Sequence, residues 1–247
     1  MDSQKVCIEL KAGQQVNPKF VPAGRSATTA ATPASITAKA QEPVFLRYLY
    51  VQMGVGVVND VKVGNQSLNC SDSDISYALF QNDTQRKPLV GLAVDGNIQM
   101  AIDVTTDADS AVTAAFACEA IEAAPSISEQ GDAINKFFGL GSVSIATTAT
   151  GTLTAQALRN CTLKDLVLAC HTASEASKVD VTDITIKGRS IFSGQSGDVV
   201  SLTALQSETQ GFSVGINTPI QTNETVTVSL KNNHSGTLII SGGLYVD

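Results

Sequence analysis

The chain has 247 residues, 43% of them hydrophobic and 16% charged, and a net charge of -7. That length holds one large domain or two small ones, and the apolar content excludes a disordered acidic polymer. Lys and Arg are scattered apart from the pair Arg86 and Lys87. A protein that neutralises phosphates shows a basic stripe, so direct nucleic-acid binding is not expected.

In chain order, Met1 to Val6 lacks the basic start and apolar stretch of a signal peptide. No apolar run approaches the ~20 residues that span a bilayer. Such a chain is expected in a reducing cytosol, with Cys7, Cys70, Cys118, Cys161 and Cys170 as free thiols. Without a signal peptide, the sequons at Asn65, Asn69, Asn82, Asn160, Asn223 and Asn233 read as by-products of polar loops. Residues 21 to 40 are rich in Pro, Gly, Ala, Ser and Thr and predict an extended loop or arm. Tyr48 and Tyr50 share a strand with apolar neighbours and predict core or subunit contact. Apolar and polar residues alternate over Val57 to Val63 and again at Met100, Ile102 and Val104, the period of half-buried strands. Turns punctuate the runs, as at Asp95-Gly96-Asn97 and from Gly194 to Asp198. One helix is predicted over Ile127 to Phe138, because Ser126 and Glu129 form a capping box and Gly139 stands where a C-terminal left-handed residue belongs. Gly139-Leu140-Gly141 then reads as a helix end, since a nucleotide fingerprint needs a preceding strand and a third glycine. Alternation resumes at Val226, Val228 and Leu230. The elements add up to an all-β chain with one short central helix.

Around that helix the sequence repeats. Residues 58 to 68 match residues 181 to 191 at an offset of 123, with Val58/Val181, Asp60/Asp183 and Ser67/Ser190 identical. Residues 100 to 121 align without a gap on residues 226 to 247 at an offset of 126. Ile36 to Ala40 aligns on Leu153 to Ala157 at an offset of 117, so order is preserved through three blocks. The chain is therefore predicted to hold two tandem jelly-roll-sized β-sandwich or barrel domains, each with room for about eight strands. The expected bounds are 1 to 121 for the first, 122 to 141 for a linker with the helix, and 142 to 247 for the second. Met100, Ile102 and Val104 should occupy the places of Val226, Val228 and Leu230, and two seven-residue loops, 105 to 111 and 231 to 237, should join matching strands. Asp60 and Asp183 should share a turn or capping role.

Two tandem repeats of this size with a helix between them resemble the double jelly-roll major capsid proteins of tailless icosahedral viruses: tectiviruses, corticoviruses, adenoviruses and small membrane-containing phages. The resemblance covers nearly the whole chain and rests on architecture. It implies a homotrimer that tiles a virion capsid as a pseudo-hexagonal capsomer and is assembled in the host cytoplasm. The partners it implies are neighbouring capsomers, penton and minor capsid proteins, and an internal viral membrane.

Other classes fit less well. A duplicated cupin needs two or three histidines and a carboxylate inside each barrel, whereas His171 and His234 stand at non-equivalent places. No glycine pattern frames a serine nucleophile, so no catalytic, cofactor-binding or metal-ligating residue is proposed. Calcium is the one ion the residues would suit, at Asp103, Asp107 and Asp109 or at Asp72 and Asp74, but no calcium loop is present. A chelator should then leave the fold intact. The alternative reading is a virion spike or a carbohydrate- or receptor-binding tandem sandwich. With no Trp, four Tyr and eight Phe, the chain is poor in the aromatics that stack on sugars.

Overall fold

The computed structural model describes residues 18–81, 89–126, 129–130, 136–192, 199–205 and 214–246. The first half holds β1 (Pro18–Thr28), β2 (Ala34–Lys39), β3 (Val44–Gln52), β4 (Gly56–Val63), β5 (Gln66–Ser67), β6 (Ile75–Ser76), helix α1 (Ala78–Gln81), β7 (Leu89–Val94), β8 (Gln99–Thr106) and β9 (Ser110–Ala120). The second half holds β10 (Phe137–Ile145), β11 (Thr150–Gln156), β12 (Cys161–Cys170), a 3-10 turn (Ala173–Lys178), β13 (Val179–Ile186), β14 (Arg189–Ser190), β15 (Val200–Ser201), α2 (Leu202–Leu205), β16 (Val214–Ile220), β17 (Thr225–Asn232) and β18 (Leu238–Val246).

One sheet of the first half runs β1-β9-β3-β7, and the other runs β2-β8-β4, with β5 and β6 on the far side of β4. The second half repeats both orders as β10-β18-β12-β16 and β11-β17-β13, with β14 and β15 on β13. In each half the long strands alternate between two antiparallel sheets as the chain advances, which is the jelly-roll winding. Strand order alone thus assigns a double jelly roll.

The period of two explains why these residues pair as they do. Met100, Ile102 and Val104 of β8 are fully buried and lie opposite Val63, Val61 and Val58. Val226, Val228 and Leu230 of β17 are fully buried opposite Ile186, Ile184 and Val181, the same partners displaced by 123. Even the irregularity recurs, because the register slips between Val58 and Asp60 and again between Val181 and Asp183. At both slips the aspartate turns to the hairpin: Ser67 Oγ donates to Asp60 at 2.6 Å, and Ser190 Oγ donates to Asp183 at 2.5 Å. The shared role expected of the two aspartates is a hairpin brace. The two interiors form separate apolar cores, one centred on Leu46, Phe116 and Ile102, the other on Leu168, Ile240 and Val228.

Three expectations need correction. Residues 21 to 40 are mostly strand, since β1 pairs with β9 and β2 pairs with β8. Ile36 and Ala38 are buried there in strict alternation. The prolines and glycines that suggested a loop are tolerated because β1 is an edge strand whose register breaks between Pro22 and Gly24. The helix expected over 127 to 138 does not extend to its end. Phe137 and Phe138 open β10, both fully buried, so this sandwich strand starts inside the span read as a linker. Residues 127, 128 and 131–135 lie outside the described residues. The expected capping contacts do form, with Glu129 Oε2 accepting from Ser126 N at 2.8 Å and from its Oγ at 2.6 Å. The seven-residue loops are shorter, because the flanking strands extend to Thr106 and Ser110 in one half and to Asn232 and Leu238 in the other.

Candidate assembly interface

The two sandwiches meet where the chain leaves the β4-β5 hairpin. Leu68 is fully buried, and from there residues 69 to 71 bridge to the second sandwich before the chain bends at residues 72 and 73. Leu68 O accepts from Phe137 N at 3.1 Å, and Cys70 N donates to Phe137 O at 2.9 Å. On the other flank Leu158 N donates to Cys70 O at 2.8 Å and Asp72 N to Gln156 O at 3.0 Å. The segment is therefore held by main-chain bonds on both sides, so each buried amide finds a partner.

Side chains complete the seam. Asn69, 7% exposed, accepts from Gly139 N at 3.2 Å and from Ser71 Oγ at 3.1 Å, and it donates to Ser73 O at 2.7 Å. Ser71 Oγ also donates to Gly139 O at 2.8 Å. Arg159 reaches back to Ser67 O at 2.5 Å and Asn69 O at 2.6 Å. A buried polar network of this kind is stabilising when every member is satisfied, and these members satisfy one another. Cys70 and Cys161 bring their sulfurs to 3.4 Å across the seam. The hydrogen bond to Cys161 and then burial push the Cys70 thiol well above its ordinary value.

Beyond the seam, β6 and α1 cover the outer face of the β10-β18-β12 sheet. Glycines permit the approach: a Cβ on Gly139 would lie 2.0 Å from Asp74 O, and one on Gly243 2.7 Å from Leu79 Cδ1. Val167 of β12 points the same way and packs into the first core. His171 meets Tyr77 edge-on, with ring centroids 4.8 Å apart, and its Nε2 lies 2.6 Å from Ser241 Oγ. Burial lowers the His171 pKa, while Asp107 works weakly in the opposite direction. Tyr245 Oη donates to Leu79 O at 3.2 Å. The contact is lateral, made mainly on a sheet face, with Leu158 and Arg159 of the loop between β11 and β12 closing one flank.

The residues singled out in the sequence are dispersed. Asp103 pairs with Lys62 at 2.6 Å; burial works upward on its pKa, but hydrogen bonds from Lys62 and Ser35 win and hold the carboxyl below the ordinary value. Its cross-strand partner Asp60 is raised, chiefly by burial. Asp109 accepts from Ala30 N at 2.9 Å, Asp72 from Gln156 N at 2.7 Å, and Asp74 from Asn59 at 3.1 Å. These carboxylates serve protein donors in separate places, and no group of three His, Cys, Asp or Glu stands together among the described residues. His234 lies apart from His171, 3.4 Å from Glu175. Tyr48 and Tyr50 point outward from β3, Tyr48 being 37% exposed, so neither belongs to the core. Cys70, Cys118, Cys161 and Cys170 are thiols in no disulfide among the described residues, and Cys7 lies outside those residues. Of the residues that make the seam, Ser71 is not singled out in the sequence, while Asn69 reads there only as a sequon by-product and Gly139 only as a helix end. Their one signal is that the repeat ends at Leu68 and Ile191, after which the first copy turns polar from Asn69 to Asp74.

No protein-family model matches the sequence, and no characterised protein matches it. Solved structures to which the chain is similar include the major capsid protein P2 from Bacteriophage PM2, with TM-score 0.39 and 10% identity, covering 94% of this chain and 98% of that one. A chain of Sulfolobus Turreted Icosahedral Virus has TM-score 0.41 and 14% identity, covering 94% and 90%. An archaeal-virus protein described by a triple jelly-roll fold and turret assembly has TM-score 0.26 and 12% identity, covering 95% and 59%.

Proposed function

We propose that this chain is a structural protein of a virus shell, a major capsid protein whose trimers tile an icosahedral virion. The observation that carries the reading is the lateral packing of two sandwiches with identical strand order in one chain. Two similar units fused side by side let three copies present six near-equivalent units, and closed oligomers are built from repeated contacts of this sort. The polar groups support a structural role: the side chains that would serve as acids, bases or ligands are engaged in hairpin braces, strand pairs and the intersandwich seam. Its partners in this reading are copies of itself, penton and minor capsid proteins and an internal membrane. Assembly takes place in the host cytoplasm.

The test is the mass of the purified protein in solution together with electron microscopy of concentrated samples. A trimer that forms closed shells or hexagonally packed sheets is expected. A strict monomer at the highest soluble concentration overturns the reading.

A further inference from the structure

We infer that the outer face of the β1-β9-β3 sheet docks the second sandwich of another copy of this chain, around β15, α2, Ile191 and Val199. This head-to-tail contact would repeat between chains the contact made within one. The inference rests on the shell reading and names the surfaces through which the copies meet.

Cross-strand register supplies the equivalence. In the second sandwich Gly139, Gly243 and Val167 are direct partners in one row across β10, β18 and β12. That row is where the first sandwich sits: Asp74 O closes on Gly139, Leu79 closes on Gly243, and Val167 is 3% exposed. The repeat offset of 126 carries Ala117 onto Gly243. The partners of Ala117 are Phe20 on β1 and Tyr48 on β3, so the matching row of the first sandwich is Phe20, Ala117 and Tyr48. Its two aromatic members are 68% and 37% exposed. A row buried in one copy of the repeat is thus open and apolar in the other.

The complementary surface is equally open. Within the chain the first sandwich makes the contact through Leu68, the segment after it, β6 and α1. Leu68 N donates to Val61 O at 2.8 Å, and Ile191 N donates to Ile184 O at 2.8 Å, which makes Ile191 the counterpart of Leu68. Strand β6 pairs with Val57 and Val58, and β15 pairs with Asp180 and Val181, the same positions displaced by 123. Helix α2 follows β15 as α1 follows β6. Leu68 is fully buried, whereas Ile191 is 41% exposed, and Val199 beside β15 is 47% exposed. The large exposed hydrophobics among the described residues are Phe20, Tyr48, Val55, Leu158, Ile191, Val199 and Ile239. Four of these seven fall on the two surfaces that equivalence picks out.

The two surfaces differ, so their association is heterologous: each copy offers the sheet face to one neighbour and the β15-α2 surface to the next, and the chain of contacts closes into a ring when the rotation permits. The occupant is a second copy because the internal contact already shows this fold placing its β6-α1 region on this sheet face. The contact between chains is not identical in detail. Phe20 stands where Gly139 lets the backbone approach, so the aromatic ring fills space that Asp74 takes within the chain.

The experiment uses the full-length chain with Phe20→Asp, which spoils the sheet face, and Val199→Asp, which spoils the other surface. Both positions are exposed, so native circular dichroism and thermal melting should match the wild type. Tyr48→Lys and Ile191→Lys form a second pair if either of the first misfolds. Each variant alone is expected to associate roughly 30-fold more weakly than the wild type, the effect of losing a central anchor. An equimolar mixture of the two is expected to give a one-to-one dimer and nothing larger, because each component keeps one working surface. A Val199→Asp variant that keeps its mass while Phe20→Asp loses it would mean face-to-face pairing and overturn the inference. So would a mixture that stays monomeric. A wild-type oligomer unaffected by either variant would assign the sheet face to another occupant, such as residues 1–17 or a different protein, and overturn this inference while leaving the shell reading standing. A wild-type monomer would overturn both.

Discussion

Single atoms decide how closely the two sandwiches approach. Gly139 and Gly243 lie on an outward sheet face, where a side chain normally meets water, yet each is closed over by the first sandwich. Gly139→Val puts carbon where Asp74 O now sits, and the backbone of a bonded seam has little room to yield. Denaturant unfolding should show a loss of about 3 kcal/mol, the cost of overpacking a well-filled site. His171 sits at the same seam with Nδ1 buried and without a hydrogen-bond partner among the described residues. Its folded pKa is depressed below 6.5 by burial, so the unfolded chain binds the proton first. The stability that neutral His171 contributes is therefore present above pH 6.5 and is lost as pH falls from 6.5 through the lowered folded value. Melting temperature followed from pH 7.5 to 5 should drop across that window, and His171→Gln should flatten the drop. An unchanged slope in the variant would place the pH dependence elsewhere.

Among the elements, β2 is the clearest case of tertiary context overriding local composition. Its sequence, Ala-Ser-Ile-Thr-Ala-Lys, has one large apolar residue and follows a proline, yet it pairs with β8 along its full length. Ile36, 3% exposed, faces the first core beside Ile102. Ile36→Ala should lower stability by about 3 kcal/mol, as a buried truncation does. A loop residue would cost about 0.5 kcal/mol or less, so denaturant titration separates the two readings cleanly. The repeated blocks at 58 to 68 and 100 to 104 were legible because their inward residues keep a period of two, broken once in the first block by the slip between Val58 and Asp60 that the second copy shares. Strand β1 was not legible, since an edge strand needs pairing on one side only and so tolerates Pro22 and Gly24. The helix signal at Ser126 and Glu129 was real as a local capping contact. It could not report that Phe137 and Phe138 were needed by two different cores, one ring on each side of the sheet.

At the scale of the molecule, the seam makes the two sandwiches one structure. Cys70 belongs to the second core although it lies in the first half of the sequence, while Val167 and Phe137 belong to the first core although they lie in the second half. The thiols report this packing. Native protein should label slowly at Cys70, Cys118, Cys161 and Cys170, because all four are buried and the Cys70, Cys118 and Cys170 thiols are held above their ordinary value. After denaturation without reductant, five thiols should react, Cys7 included. Mass spectrometry of the labelled protein checks both states, and fast native labelling at Cys70 would mean that the seam opens.

By itself the sequence determined that the chain is all-β, that it is duplicated, and which residues of β8 and β17 point inward. Those properties follow from alternation and spacing, which are local. Tertiary structure alone decided what the outward faces meet. The row Gly139, Gly243, Val167 and the row Phe20, Ala117, Tyr48 obey the same alternation, yet the first is buried under a neighbouring sandwich and the second is open. A period of two tells which side of a sheet a residue is on; it carries no information about what lies on that side, because the covering segment, residues 68 to 81, is distant in sequence and is placed there by long-range hydrogen bonds.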